Sequence, residues 1–125
     1  MTIGYIDGFG LAAVLSPGPA GDRGALVWDA LDAACAHRIV ELEVPSAIGR
    51  SLDRMAWIWA LHTLSMMTTT SDVSASAIDL AWLGAPPLVA LHVACAEHIG
   101  VDHFITADDV SASWASIRGL NVLKL

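Results

Sequence analysis

Between Pro86 and Val110 the chain reads PPLVALHVACAEHIGVDHFITADDV, and this stretch limits the architecture more than any other. Pro86-Pro87 opens a helix that runs to His98 and is closed by Gly100 in the manner of a C-terminal cap. A short apolar strand, His103 to Thr106, follows at once, and the next helix starts at Asp109. Strands this short and without a polar side are buried on both faces, which calls for a parallel sheet covered by helices.

The remaining chain is read in the same terms. Thr2 to Ile6 is an apolar strand running into Asp7, followed by a glycine- and proline-rich loop with one helical turn at Leu11 to Leu15. Asp22 caps a helix from Arg23 to Ala36, in which Leu26, Val27, Ala30, Leu31 and Ala34 recur at helical spacing. Ile39 to Val44 alternates and reads as a strand with a partly wet side. Pro45 and Ser46 then turn the chain into a long helix from Ala47 to Met66. Thr68 to Ser76 is a polar connector, Ala77 to Leu80 a short strand, and Asn121 to Leu125 a closing strand. Alternating strands and helices make the expected fold α/β, a three-layer α/β/α sandwich around a central parallel sheet. In such sheets the working site lies beyond the carboxyl ends of the strands.

At 125 residues the chain is expected to form one domain, residues 1–125. Hydrophobic residues make up 55% and charged residues 15%, which excludes disorder and leaves apolar surface for a partner, by default a second copy in a homodimer. No membrane span is expected, because Pro86-Pro87 and the Thr/Ser tail after His62 interrupt the longest uncharged stretches. With no basic residue before the first apolar run, a secretory signal is not expected either, and the protein is read as cytoplasmic. Cys35 and Cys95 lack metal-ligand spacing and read as small buried hydrophobes. A formal charge of −7 with Lys124 as the single lysine is a poor start for holding RNA.

The residues that could carry chemistry are acids at strand ends. Asp7, in YIDGFG, either caps the following helical turn or presents a carboxylate to a metal ion. A haloacid-dehalogenase site would need a second aspartate at position 9, where Phe9 stands. Asp108 and Asp109 precede a helix, so one of them caps it; a second carboxylate in the same turn is awkward unless solvated or paired with a cation. His92 and His98 lie six residues apart, which is not a same-face spacing, and His92 reads as an ordinary helix-face histidine.

Taken together, these residues resemble the PIN domain family, whose members include the VapC-type toxin ribonucleases. GYIDGFGLAAVL is similar to the family's opening strand-Asp-helix, PPLVALHVACAEHIGVDHFITADDV to its DALHLA helix, turn, strand and Thr-x-Asp, and GLNVLKL to its closing strand. The resemblance implies a Mg²⁺ or Mn²⁺ centre that activates water against an RNA phosphodiester, held by Asp7 and Asp108 with Asp109 adjacent. Asp109 remains the expected helix cap. Two further acids do not carry over: Val89 stands where the family has the aspartate of DALHLA, and no acid lies between Ser46 and Ser51, where a helix glutamate is expected. Glu43, on the preceding strand, and Asp53, further along the helix, are the nearest substitutes. Gly8 and Phe9 replace the Thr or Ser that follows the first aspartate.

The resulting expectation is a VapC-like PIN fold with an impaired nuclease centre and a binding or regulatory role, beside an antitoxin-like partner and with no cofactor. The competing expectation is an active Mg²⁺- or Mn²⁺-dependent endoribonuclease in which Asp7, Asp108, Asp109 and a relocated acid, Glu43 or Asp79, act on RNA.

Overall fold

The computed structural model describes all 125 residues and contains five strands: β1 (Ile3–Ile6), β2 (Ala33–His37), β3 (Ser65–Met67), β4 (His103–Thr106) and β5 (Val122–Lys124). All neighbours pair in parallel, in the order β3-β2-β1-β4-β5. The helices are α1 (Gly8–Val14), α2 (Pro19–Asp29), α3 (Val40–Ile48), α4 (Arg54–Thr63), α5 (Ser71–Trp82), α6 (Pro87–Ile99) and α7 (Asp109–Ile117), with a 3₁₀ turn at Gly49–Ser51.

Side-chain alternation along the strands divides the core. Tyr5, Cys35 and Phe104 face α5, α6 and α7, whereas Ile6, Ala34, Ala36 and Ile105 face α1, α2, α3 and α4. The expected three-layer α/β/α sandwich is what forms. The chain leaves the sheet centre in opposite directions from β1 and β4, so their carboxyl ends bound a crevice at the topological switch point.

Four segments differ from the sequence expectation. Residues 33–36 belong to β2 and not to a helix: Ala36 is wholly buried, and pairing with β1 and β3 overrides the helical preference of alanine. Ile39 to Val44 is not a strand. It forms the start of α3, whose Val40 and Val44 share one buried face at a spacing of four. The long helix from Ala47 breaks at Gly49, which adopts φ 67° and ψ −140°, and its remainder becomes the turn, α4 and β3. Thr70 caps α5 by accepting from the Val73 amide, so Ala77 to Leu80 is helical and not a strand. By contrast β4 spans the residues expected, and Gly100 ends α6 in the left-handed region at φ 74°.

Candidate functional site

Asp7 leaves the tip of β1 as the N-cap of α1, and it is 1% exposed. Its Oδ1 accepts the Gly10 amide at 2.7 Å and its Oδ2 the Thr106 hydroxyl at 2.7 Å. The Thr106 hydroxyl in turn accepts the Asp108 amide at 3.1 Å, so one threonine oxygen ties the ends of β1 and β4 together. Asp108 caps α7, its Oδ2 accepting both the amide and the hydroxyl of Ser111 at 2.9 Å. The cap is therefore Asp108, not Asp109 as expected. Asp109 is the first helical residue, its carboxylate is 94% exposed, and it pairs with Lys124 at 3.1 Å on the outer surface.

Glu43, misread as a strand residue, stands on the first turn of α3 and lines the crevice. Its Oε1 lies 2.6 Å from Nε2 of His92, which is 3% exposed on α6. The other ring nitrogen of His92 lies 2.6 Å from the Tyr5 hydroxyl. Tyr5 is wholly buried, stacks on Phe104 with ring centroids 5.6 Å apart, and accepts the His37 amide at 3.1 Å through the same oxygen. Burial holds the Tyr5 phenol far above its ordinary pKa, so it acts as a neutral hydroxyl. Sequence spacing offered no signal for His92, since its partners Tyr5 and Glu43 are 87 and 49 residues away.

The crevice has a volume of about 450 Å³. Glu43, His92 and Asp108 supply its polar lining, while Phe9, Leu88 and Val89 supply apolar walls. Asp79 does not join it, being exposed on α5 on the side of Arg118. Asp53 is also elsewhere, capping α4 through the Met55 and Ala56 amides.

The side chains as they stand offer a divalent ion only part of a ligand set. Both Asp7 oxygens accept from protein donors, Asp108 bonds Ser111 through Oδ2 and Glu43 bonds His92 through Oε1, and Val89 brings apolar surface. No three His, Cys, Asp or Glu side chains converge in an arrangement that could hold an ion. Nor does any buried side-chain nitrogen or oxygen lack a partner.

Burial raises the Asp7 carboxyl above its ordinary 3.8, opposed by His92, Thr106 and Gly10, with Glu43 adding to the rise. A raised folded-state value means that Asp7 favours folding when protonated, and that this contribution is lost as pH rises from 3.8 through the raised value. Asp7→Asn is thus expected to raise the melting temperature at neutral pH. The gain should vanish below pH 3.8, where the wild-type carboxyl is protonated in both states. Thermal melts across an acid series measure it; an equal gain at every pH would assign the effect to packing.

The fold is an open parallel α/β sheet with its crevice at the topological switch point. The same architecture is found in a toxin–antitoxin complex from Klebsiella pneumoniae, at TM-score 0.75 and 18% identity, covering 97% of this chain and 96% of that one. VapBC2 from Rickettsia felis, bound to a DNA fragment from their promoter, matches at 0.70 and 12%, covering 98% of each chain. FitAcB from Neisseria gonorrhoeae matches at 0.69 and 15%, covering 97% and 96%. The fold is VapC-like and PIN-type. No family profile matches the sequence, and no curated protein does.

Proposed function

We propose that this chain is the PIN-fold member of a toxin–antitoxin-like protein pair, with an impaired nuclease centre, acting by binding a protein partner in the cytoplasm. The observation that carries this reading is Val89, whose apolar side chain lines the crevice beside Glu43 and Asp108 where a further acid would be needed, so that no three His, Cys, Asp or Glu side chains converge on an ion. Its apolar mouth supports a protein partner: Phe9 is 53% exposed and Leu88 and Val110 are each 47% exposed. The VapC-like fold, shared with a toxin–antitoxin complex and with VapBC2, supports the pairing. Ile78, Trp82 and Leu83 at the end of α5 form a second exposed apolar surface, suited to a homodimer.

A second reading is favoured by one observation. Glu43 lines the crevice from a helix, as a relocated acid of an active Mg²⁺- or Mn²⁺-dependent endoribonuclease would. Calorimetric titration with each metal, alongside an RNA cleavage assay of wild type and Asp7→Asn, separates the two. The expected result is no cleavage above the Asp7→Asn level; metal-dependent cleavage abolished by that substitution would replace the first reading with the second.

A further inference from the structure

We propose that His37 is an acid-sensitive clasp: as a neutral imidazole it ties the start of α3 to the start of α5 at the carboxyl end of β2, and its protonation releases the first turn of α3, the turn that carries Glu43. The clasp operates under either reading of the crevice.

The state of the ring follows from its partners. The Ile39 amide can only donate, so Nδ1, 3.0 Å away, accepts and carries no proton. Nε2 therefore holds the proton of the neutral ring and donates to the Thr69 hydroxyl at 2.8 Å. The His37 amide donates to the Tyr5 oxygen at 3.1 Å, which fixes the backbone beneath, and the residue is 8% exposed. A charged imidazole donates from both nitrogens. Its Nδ1–H would face the Ile39 N–H, and turning the ring over would not relieve the conflict.

The start of α3 has little else to hold it. Ile39 occupies the N-cap position, no side chain caps the helix, and the Ile39 amide makes no backbone hydrogen bond. Pro45, inside the helix, removes the amide that would bond the Glu41 carbonyl. His37 thus does from upstream what a cap would do. The surroundings oppose charge on the ring. α3 begins one residue after Ile39 and α5 two residues after Thr69, so the positive ends of two helices lie beside it. Burial lowers the His37 pKa from 6.5, His92 on α6 adds to the fall, and Glu43 on α3 opposes it. Of the other neighbours, Arg38 and Glu41 line the open cavity of about 420 Å³ beside the ring, Tyr5 on β1 is a neutral phenol, β3 places Met67 alongside, and Asp72 on α5 is exposed. A lowered folded-state value means that the clasp is intact above 6.5 and is lost as pH falls from 6.5 through the lowered value.

The test follows the ¹⁵N signals of the imidazole and the amide signals of α3 by NMR from about pH 7.5 to about pH 5. At the upper end Nδ1 should be bare and Nε2 protonated. On acidification the His37 ring and the amides of Ile39 to Glu43 should share one titration. Across it the Ile39 amide should lose about tenfold of its protection from hydrogen exchange, after correction for the intrinsic rate. His37→Asn, whose Oδ1 stands in for Nδ1 and cannot titrate, should keep the Ile39 bond and abolish the transition in α3. A ring that stays neutral to about pH 5, or one that titrates while the α3 amides do not move, overturns the clasp. So does an α3 transition that persists in His37→Asn, which would assign it to His92 or Glu43. If His37→Asn does not fold, wild type decides alone: a proton on Nδ1 at neutral pH overturns the clasp, and a bare Nδ1 with ring and α3 titrating together supports it.

Discussion

Val89→Asp is expected to destabilise the metal-free protein by about 3 kcal/mol, and millimolar Mn²⁺ is expected to restore much of the loss. Val89 is 7% exposed, packs in the core cluster behind α6, and lines the crevice with Glu43 and Asp108. A carboxylate there gives up apolar contacts and meets two acids with no cation between them. Burying such a charge unpaired is among the few mechanisms that exceed the ordinary range of single substitutions. Yet the same substitution supplies a crevice ligand on the α6 turn before His92. A ligand present at about a hundred times its dissociation constant stabilises by about 2.7 kcal/mol, comparable with the expected loss.

Scanning fluorimetry of wild type, Val89→Asp and Val89→Asn, each with and without Mn²⁺, reads the effect. Only Val89→Asp should recover with metal, because the asparagine loses the same apolar contacts without adding charge. If wild type gains as much from Mn²⁺ as Val89→Asp, the missing carboxylate is not what keeps the ion out. If Val89→Asp melts with wild type in the absence of metal, the crevice is wetter than its 7% exposure implies.

Which parts of this site were legible in the sequence depended on how local their signals are. The diprolyl start and glycine stop of α6, with four residues of strand before Asp108, are chemical punctuation, and α6, β4 and the start of α7 lie where they indicate. Glu41, Leu42, Glu43 and Val44 carry no such punctuation. Over six residues a period of two and a spacing of four are both satisfied, and burial of Val40 with Val44 decides for the helix. That misreading placed Glu43 on a strand and left it only a substitute acid, because the helix glutamate was sought at 46–51 although α3 begins at Val40. His92 was hidden for another reason. Its role comes from Tyr5 and Glu43, which the sheet brings together from distant parts of the chain. The Asp108–Asp109 pair was half legible: composition announces a cap and a spare, but only the φ/ψ of Asp108 and the reach of Lys124 say which is which.

Gly21→Ala is expected to cost about 3 kcal/mol or more and to lower the melting temperature by roughly 10 °C or more. Intrinsic preference predicts the opposite sign, since alanine in a helix is favoured over glycine by about 1 kcal/mol. The contact decides. A Cβ on Gly21 would stand 2.0 Å from the Ser16 carbonyl oxygen and 3.0 Å from that of Ala13. These are backbone atoms at the corner where α1 meets α2, so no rotamer change relieves them, and the corner itself must open. Gly24 provides the comparison on the same helix, because its Cβ would meet Val14 Cγ2 at 2.6 Å and only Val14 Cα among backbone atoms, at 3.4 Å. Gly24→Ala can be accommodated by turning Val14, with a small give from Leu125 Cδ1 at 3.3 Å, at about 1 kcal/mol. Denaturant melts of the two variants should therefore separate by about 2 kcal/mol; similar losses would mean that the corner yields as easily as a valine. The difference bears on function because α1 carries Gly8 and Gly10 against Glu43 and Asp7. Opening its far end tilts the helix that seats both carboxylates, so Gly21→Ala should also loosen the crevice, whereas Gly24→Ala should leave it intact.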